Sequence, residues 1–75
     1  MMAGALHYLY YLLHATRKSG HRDSVEIYLG VSGVFRVRVV RGGNPLTAVY
    51  SSSLEDAIRE VTIEYNKLRQ ADPGG

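Results

Sequence analysis

The chain has 75 residues, 45% of them apolar and 21% charged, with no cysteine and a formal net charge of +2. That composition is globular and not disordered, the length suits one small domain, and the missing cysteines exclude disulfides and thiolate metal sites. Good packing or self-association must then supply what such staples supply in other small domains.

Along the first segment, Leu6, Leu9, Tyr10 and Leu13 recur at helical spacing, and so do Tyr8, Leu12 and Ala15, which predicts a helix over residues 5–19. A helix apolar over more than half its circumference needs two partners. One is the sheet; the other is expected to be a second copy of the chain, met through Leu6, Leu9, Tyr10, Leu12 and Leu13 as a homodimer interface. Arg17 and Lys18 fall in the last turn, where the helix dipole favours cations, and Gly20 is the stop. The apolar run from Ala5 to Leu13 is too short to span a bilayer and no Lys or Arg precedes it. No membrane association is expected, and the expected location is cytoplasmic.

Residues 25–31 alternate, with Val25, Ile27, Leu29 and Val31 against Glu26 and Tyr28. Residues 34–41 alternate as well, with Phe35, Val37 and Val39 against Arg36, Arg38 and Val40. Two half-buried strands must share their apolar face, and a loop of Val31-Ser32-Gly33 pairs Leu29 with Phe35, Ile27 with Val37 and Val25 with Val39. Gly33 then sits where such a loop needs a left-handed residue. Gly42-Gly43-Asn44-Pro45 is a turn signal. Taken as a four-residue loop, it predicts a third strand over 46–51 with Ala48 and Tyr50 on the buried face and Thr47, Val49 and Ser51 on the other. The sheet is thus expected over residues 25–51, with the arginine-bearing strand in its centre.

Ser51-Ser52-Ser53 opens a second helix over 53–70, capped by Ser52 with Glu55 or by Ser53 with Asp56. Its expected buried stripe is Leu54, Ala57, Ile58, Val61, Tyr65 and Leu68, with an i,i+4 pair between Glu55 and Arg59. Residues 71–75 read as a flexible tail, and the final Gly74-Gly75 is similar to the end of ubiquitin-like carriers in those two residues only. The order α-β-β-β-α defines an α+β two-layer sandwich with a three-stranded antiparallel meander.

No residue set points to catalysis. His7 and His14 share a helix face but lie about 10.5 Å apart along the axis, too far to hold one metal. Ser, His and carboxylate side chains are scattered with no nucleophile motif, and a domain of this size leaves little room for a pocket of several hundred Å³. A non-enzymatic protein without cofactor or metal is expected.

The informative feature is charge. Residues 1–53 carry Arg17, Lys18, Arg22, Arg36, Arg38 and Arg41 against Asp23 and Glu26, whereas residues 54–75 are net acidic. Seven of the nine cations are Arg, whose planar fork suits phosphate and carboxylate. Two of them, Arg36 and Arg38, project from one face of the central strand beside Tyr28, Val40 and Val49. Cross-strand pairing of Glu26 with Arg38 and of Tyr28 with Arg36 accounts for part of this face as ordinary sheet surface. Arginine and tyrosine beside small apolar residues also make the mixed surface found at interfaces.

The string from Gly33 through Val40, then Gly42-Gly43, then Ala48 through Ala57 resembles the three-stranded DNA-binding domains of phage integrases (the arm-binding domain) and of plant ethylene-response factors. That resemblance implies a sheet in the major groove with Arg36, Arg38 and Arg41 on bases and phosphates. The order α-β-β-β-α is also that of the double-stranded RNA-binding domain, but Glu55 and Asp56 stand where that family has lysines, so RNA binding of that kind is not expected. In size and style the chain also resembles small phage-encoded proteins such as anti-CRISPR inhibitors, which implies docking on a host protein that handles nucleic acid. The expected function is therefore DNA binding through Tyr28, Arg36, Arg38, Arg41 and Val49, with protein docking through the same residues as the alternative.

Overall fold

All five elements form in the expected order in a computed structural model that describes residues 3–71: α1 (Ala3–Lys18), β1 (Asp23–Leu29), β2 (Phe35–Arg41), β3 (Asn44–Ser51) and α2 (Leu54–Ala71). The fold is α+β, an antiparallel meander in the order β1-β2-β3 with both helices packed on one face. α2 lies across β2 and β3, and α1 packs on α2 and over β1. Residues 72–75, including Gly74-Gly75, lie outside the described residues. Among the described residues, no helix is long and apolar enough to cross a membrane.

The first hairpin has the expected register, with Leu29 opposite Phe35, Ile27 opposite Val37 and Val25 opposite Val39. Gly33 holds a φ of 83°, the left-handed conformation that closes the loop without a Cβ clash. Val37 and Val39 are fully buried beneath Ala57, Ile58, Val61 and Tyr65 of α2, joined by Ala5 and Leu12 of α1. Ser53 caps α2, its hydroxyl accepting the Asp56 N–H at 3.3 Å. Of the two caps the residues allow, Ser53 with Asp56 is the one used. Arg59 pairs with Asp56 at 3.2 Å and not with Glu55, which instead packs against Gly4 of α1.

The second hairpin corrects the expected faces of β3. Gly42 and Gly43 both have positive φ, 57° and 84°, which makes a two-residue turn and leaves Asn44 and Pro45 in the strand. A two-residue turn alone would set Val37 opposite Ala48 and turn Tyr50 toward the helices. A one-residue register shift between Val39 and Val40 changes that parity: Val39 faces Thr47 whereas Val40 faces Pro45, with Leu46 as the extra residue. Val37 consequently pairs with Val49, and Arg36 with Tyr50. Val49 packs against the core and Tyr50 is 67% exposed, the reverse of the expectation from alternation.

Other positions depart from the expected burial because the helices cover the sheet unevenly. Ile27 and Leu29 sit on the helix side of β1 yet remain 45% and 56% exposed, since α1 leans on α2 more than on this edge strand. Leu68, near the C-terminal end of α2, is exposed as well. Val40 is buried although it alternates with Arg36 and Arg38, and it stands apart from the core cluster.

Truncating the central strand by Val37→Ala is expected to cost about 1–3 kcal/mol in denaturant unfolding. The β3 register is checked by a pair of variants: Val49→Asp should destabilise by about 2 kcal/mol or more, and Tyr50→Asp by under about 1 kcal/mol.

Candidate functional site

The open face of the sheet is positioned by a polar cluster on its opposite side. β1 starts at Asp23, whose side chain is completely removed from solvent beside the end of β2. Arg41 forks onto it, with Nε donating to Oδ1 at 2.8 Å and Nη2 donating to Oδ2 at 3.1 Å. The buried Tyr65 hydroxyl of α2 donates to Oδ2 as well. Ser19, just past α1, shares its hydroxyl hydrogen between Asp23 Oδ2 at 3.1 Å and the Thr16 carbonyl at 2.9 Å. One carboxylate thus ties the end of α1, the open end of the β1–β2 pair and the C-terminal half of α2. The Arg41 fork holds the Asp23 carboxyl down to about 2, with Tyr65 and Ser19 acting the same way and burial opposing them. Burial pushes the Tyr65 hydroxyl up, and its bond to Asp23 adds to that.

On the open face, three cross-strand rows follow from the observed register. The first is Tyr28–Arg36–Tyr50, the second Glu26–Arg38–Ala48, and the third Ser24–Val40–Pro45. Arg36 lies with its guanidinium carbon 5.1 Å from the Tyr28 ring centroid, a cation–π contact. Its Nε is shielded from solvent and has no hydrogen-bond partner. Arg38 Nε instead donates to Glu26 Oε1 at 2.5 Å. Of the two arginines on this face, only Arg36 lacks a carboxylate partner among the described residues. Tyr28 and Tyr50 stand on either side of it, 55% and 67% exposed.

Tyr28, Arg36 and Arg38 are therefore brought together as expected, and Arg41 and Val49 are not. Arg41 alternates with Val39 onto the helix side, where it is committed to Asp23; Val49 was turned inward by the bulge. The residue missed on this face is Tyr50, which the bulge at Leu46 turns outward and which the turn residues alone do not reveal. Of the expected dimer residues, Leu12 is fully buried in the core and Leu9 is partly buried against it, whereas Leu6, Tyr10 and Leu13 are exposed. The sequence left little room for a sizeable cavity, yet a cleft of about 630 Å³ opens beside the Asp23 cluster, lined by Lys18, His21, Arg41, Tyr65 and Arg69 among others.

The chain matches no family model, no curated protein sequence and no solved structure.

The Asp23 cluster sets an acid limit on stability. A carboxyl depressed to about 2 in the folded chain contributes stability above the ordinary carboxyl range, and that contribution is lost as pH falls through about 4 toward 2. Asp23→Asn is expected to lower stability by about 2 kcal/mol at neutral pH. It should also flatten the fall in melting temperature between pH 4 and pH 2, as measured by circular dichroism.

Proposed function

We propose that this protein is a non-catalytic module that binds nucleic acid on the open face of its sheet, with unpaired bases stacking on Tyr28 and Tyr50 and a phosphate meeting Arg36. The observation that carries this reading is Arg36 itself: a guanidinium against the Tyr28 ring and opposite Tyr50 in the register, with no carboxylate partner among the described residues. Exposed aromatic rings on a sheet bind bases because every base has a π-face, and each stacked base is worth roughly 1–3 kcal/mol. A guanidinium beside them supplies a charge-assisted hydrogen bond to the backbone phosphate. Duplex affinity draws on many phosphate contacts, and this face offers one unneutralised cation, so the corrected register favours a strand with exposed bases over a major groove.

Fluorescence anisotropy with labelled single-stranded and duplex oligonucleotides of one sequence tests this. The single strand should bind more tightly, with a shallow salt dependence of roughly one or two phosphates per chain. Tyr28→Ala and Tyr50→Ala should each weaken binding about tenfold. Arg36→Ala should weaken it and flatten the salt slope, and Glu26→Gln, which releases Arg38, should tighten it. Equal or stronger duplex binding, or affinity indifferent to all four substitutions, contradicts the reading.

A second reading is favoured by the Arg38–Glu26 pair, which neutralises half of the positive charge on this face. An arginine between tyrosines is also the composition of protein interfaces, and docking on a host protein that handles nucleic acid would use the same row. A partner captured from lysate that survives nuclease treatment, and is lost with Arg36→Ala, supports that alternative.

A further inference from the structure

Three observations converge on the outer edge of β1. The first is an asymmetry between the two edges of the sheet. β3 carries Pro45 and the bulge at Leu46, both of which blunt an edge against pairing. β1 runs from Asp23 to Leu29 with neither proline nor bulge, and its two acids are turned to partners within the chain, Asp23 to Arg41 and Glu26 to Arg38.

The second is apolar surface that nothing in the chain covers. Ile27 and Leu29 on the helix side of β1 are 45% and 56% exposed. Gly4 sits so close to α2 that a Cβ there would fall 2.5 Å from Glu55 Oε1, which places the Gly4 flank of α1 against α2. Leu6 and Leu13 lie about half a turn away from Gly4 around the helix, so they point away from α2, above the free edge of β1. Both are exposed, as is Tyr10 beside them.

The third is the direction of the backbone. Gly30 N–H donates to the Val34 carbonyl at 3.0 Å, which makes that opposed pair hydrogen-bonded. By the antiparallel alternation, Tyr28, Glu26 and Ser24 are the β1 residues bonded to β2. The N–H and C=O groups of Val25, Ile27 and Leu29 therefore point out of the sheet. The residues with unsatisfied backbone groups are the ones that carry the apolar row.

We propose that a second copy of this chain occupies this edge, its β1 pairing antiparallel with the first around a two-fold axis at Ile27. The backbone parity restricts the choice of axis. An axis at Glu26 sets two carboxylates face to face, which is unfavourable. An axis at Tyr28 pairs only residues 27–29 of the strand. The axis at Ile27 pairs five residues, stacks Ile27 on the partner's Ile27 and Val25 on the partner's Leu29, and sets Glu26 opposite the partner's Tyr28. Leu6, Tyr10 and Leu13 of the two α1 helices then face each other above the joined strands. The product is a six-stranded sheet with two Tyr28–Arg36–Tyr50 rows on one face, their central strands about 14 Å apart, or three strand spacings. The dimer does not depend on nucleic-acid binding by that face.

The absence of native cysteine makes the register directly testable. Opposed residues of a hydrogen-bonded antiparallel pair have Cα atoms about 5.5 Å apart, within disulfide reach, so Ile27→Cys should cross-link to a dimer under mild oxidation. Two copies of residue 28 are diagonal in this register, about 8 Å apart, and Tyr28→Cys should not cross-link. Wild-type protein should sediment as a dimer at micromolar concentration, and Ile27→Lys as a folded monomer with an unchanged helical signal. A wild-type monomer at high micromolar concentration, a dimeric Ile27→Lys, or cross-linking through Tyr28→Cys in place of Ile27→Cys overturns the proposal. Should Ile27→Lys fail to fold, the two cysteine variants decide it.

Discussion

The structure depends on one buried carboxylate. The core of this chain is small, built from two valines of β2, four residues of α2 and little from α1 beyond Ala5 and Leu12. Apolar contact alone does not fix where the end of α1 sits relative to the sheet. Asp23 does, because a carboxylate removed from water must find donors, and it finds Arg41 on β2, Tyr65 on α2 and Ser19 just past α1. The geometry of those donors sets the approach of both helices. Strand alternation puts Arg41 on the helix side, where Asp23 holds it, and leaves Arg36 and Arg38 as the arginines of the open face.

The first hairpin was legible in the sequence because two strictly alternating segments around Gly33 admit one register that buries both apolar sets. α2 was legible for a similar reason: Ala57, Ile58, Val61 and Tyr65 trace a single stripe behind a serine cap. β3 was not. Leu46, Thr47, Ala48, Val49 and Tyr50 have no clean polar–apolar alternation, so parity rested on the turn alone. A two-residue turn and a four-residue turn give the same faces, and only the bulge at Leu46 distinguishes the observed arrangement from both. A bulge has no reliable sequence signature apart from the proline that tolerates it. The Asp23 cluster was equally hidden, since it joins residues 42 positions apart through side chains whose types look unremarkable in isolation.

That one-residue bulge changes the make-up of the open face. It exchanges a valine for a tyrosine on the open face and so converts an arginine-lined sheet into a row of two aromatic rings around one unpaired guanidinium. The proposed site changes in kind with it, from the groove-reading sheet expected of the sequence to the stacking row we propose. The wide apolar surface of α1 was visible from residue spacing, but its division was not: Leu12 enters the core, and Leu6, Tyr10 and Leu13 are left above an unprotected strand edge. The proposed binding row crosses all three strands and the proposed assembly edge is β1, so joining two copies along β1 would extend the open face.

The open face is tested most directly by titrating isotopically labelled protein with a short single-stranded oligonucleotide and following backbone amide shifts. Perturbation concentrated on Tyr28, Arg36, Arg38, Ala48 and Tyr50, with α1 and α2 unmoved, is the result expected. Shifts centred on the cleft beside Lys18, His21 and Arg69, or no shifts at saturating oligonucleotide, would contradict it.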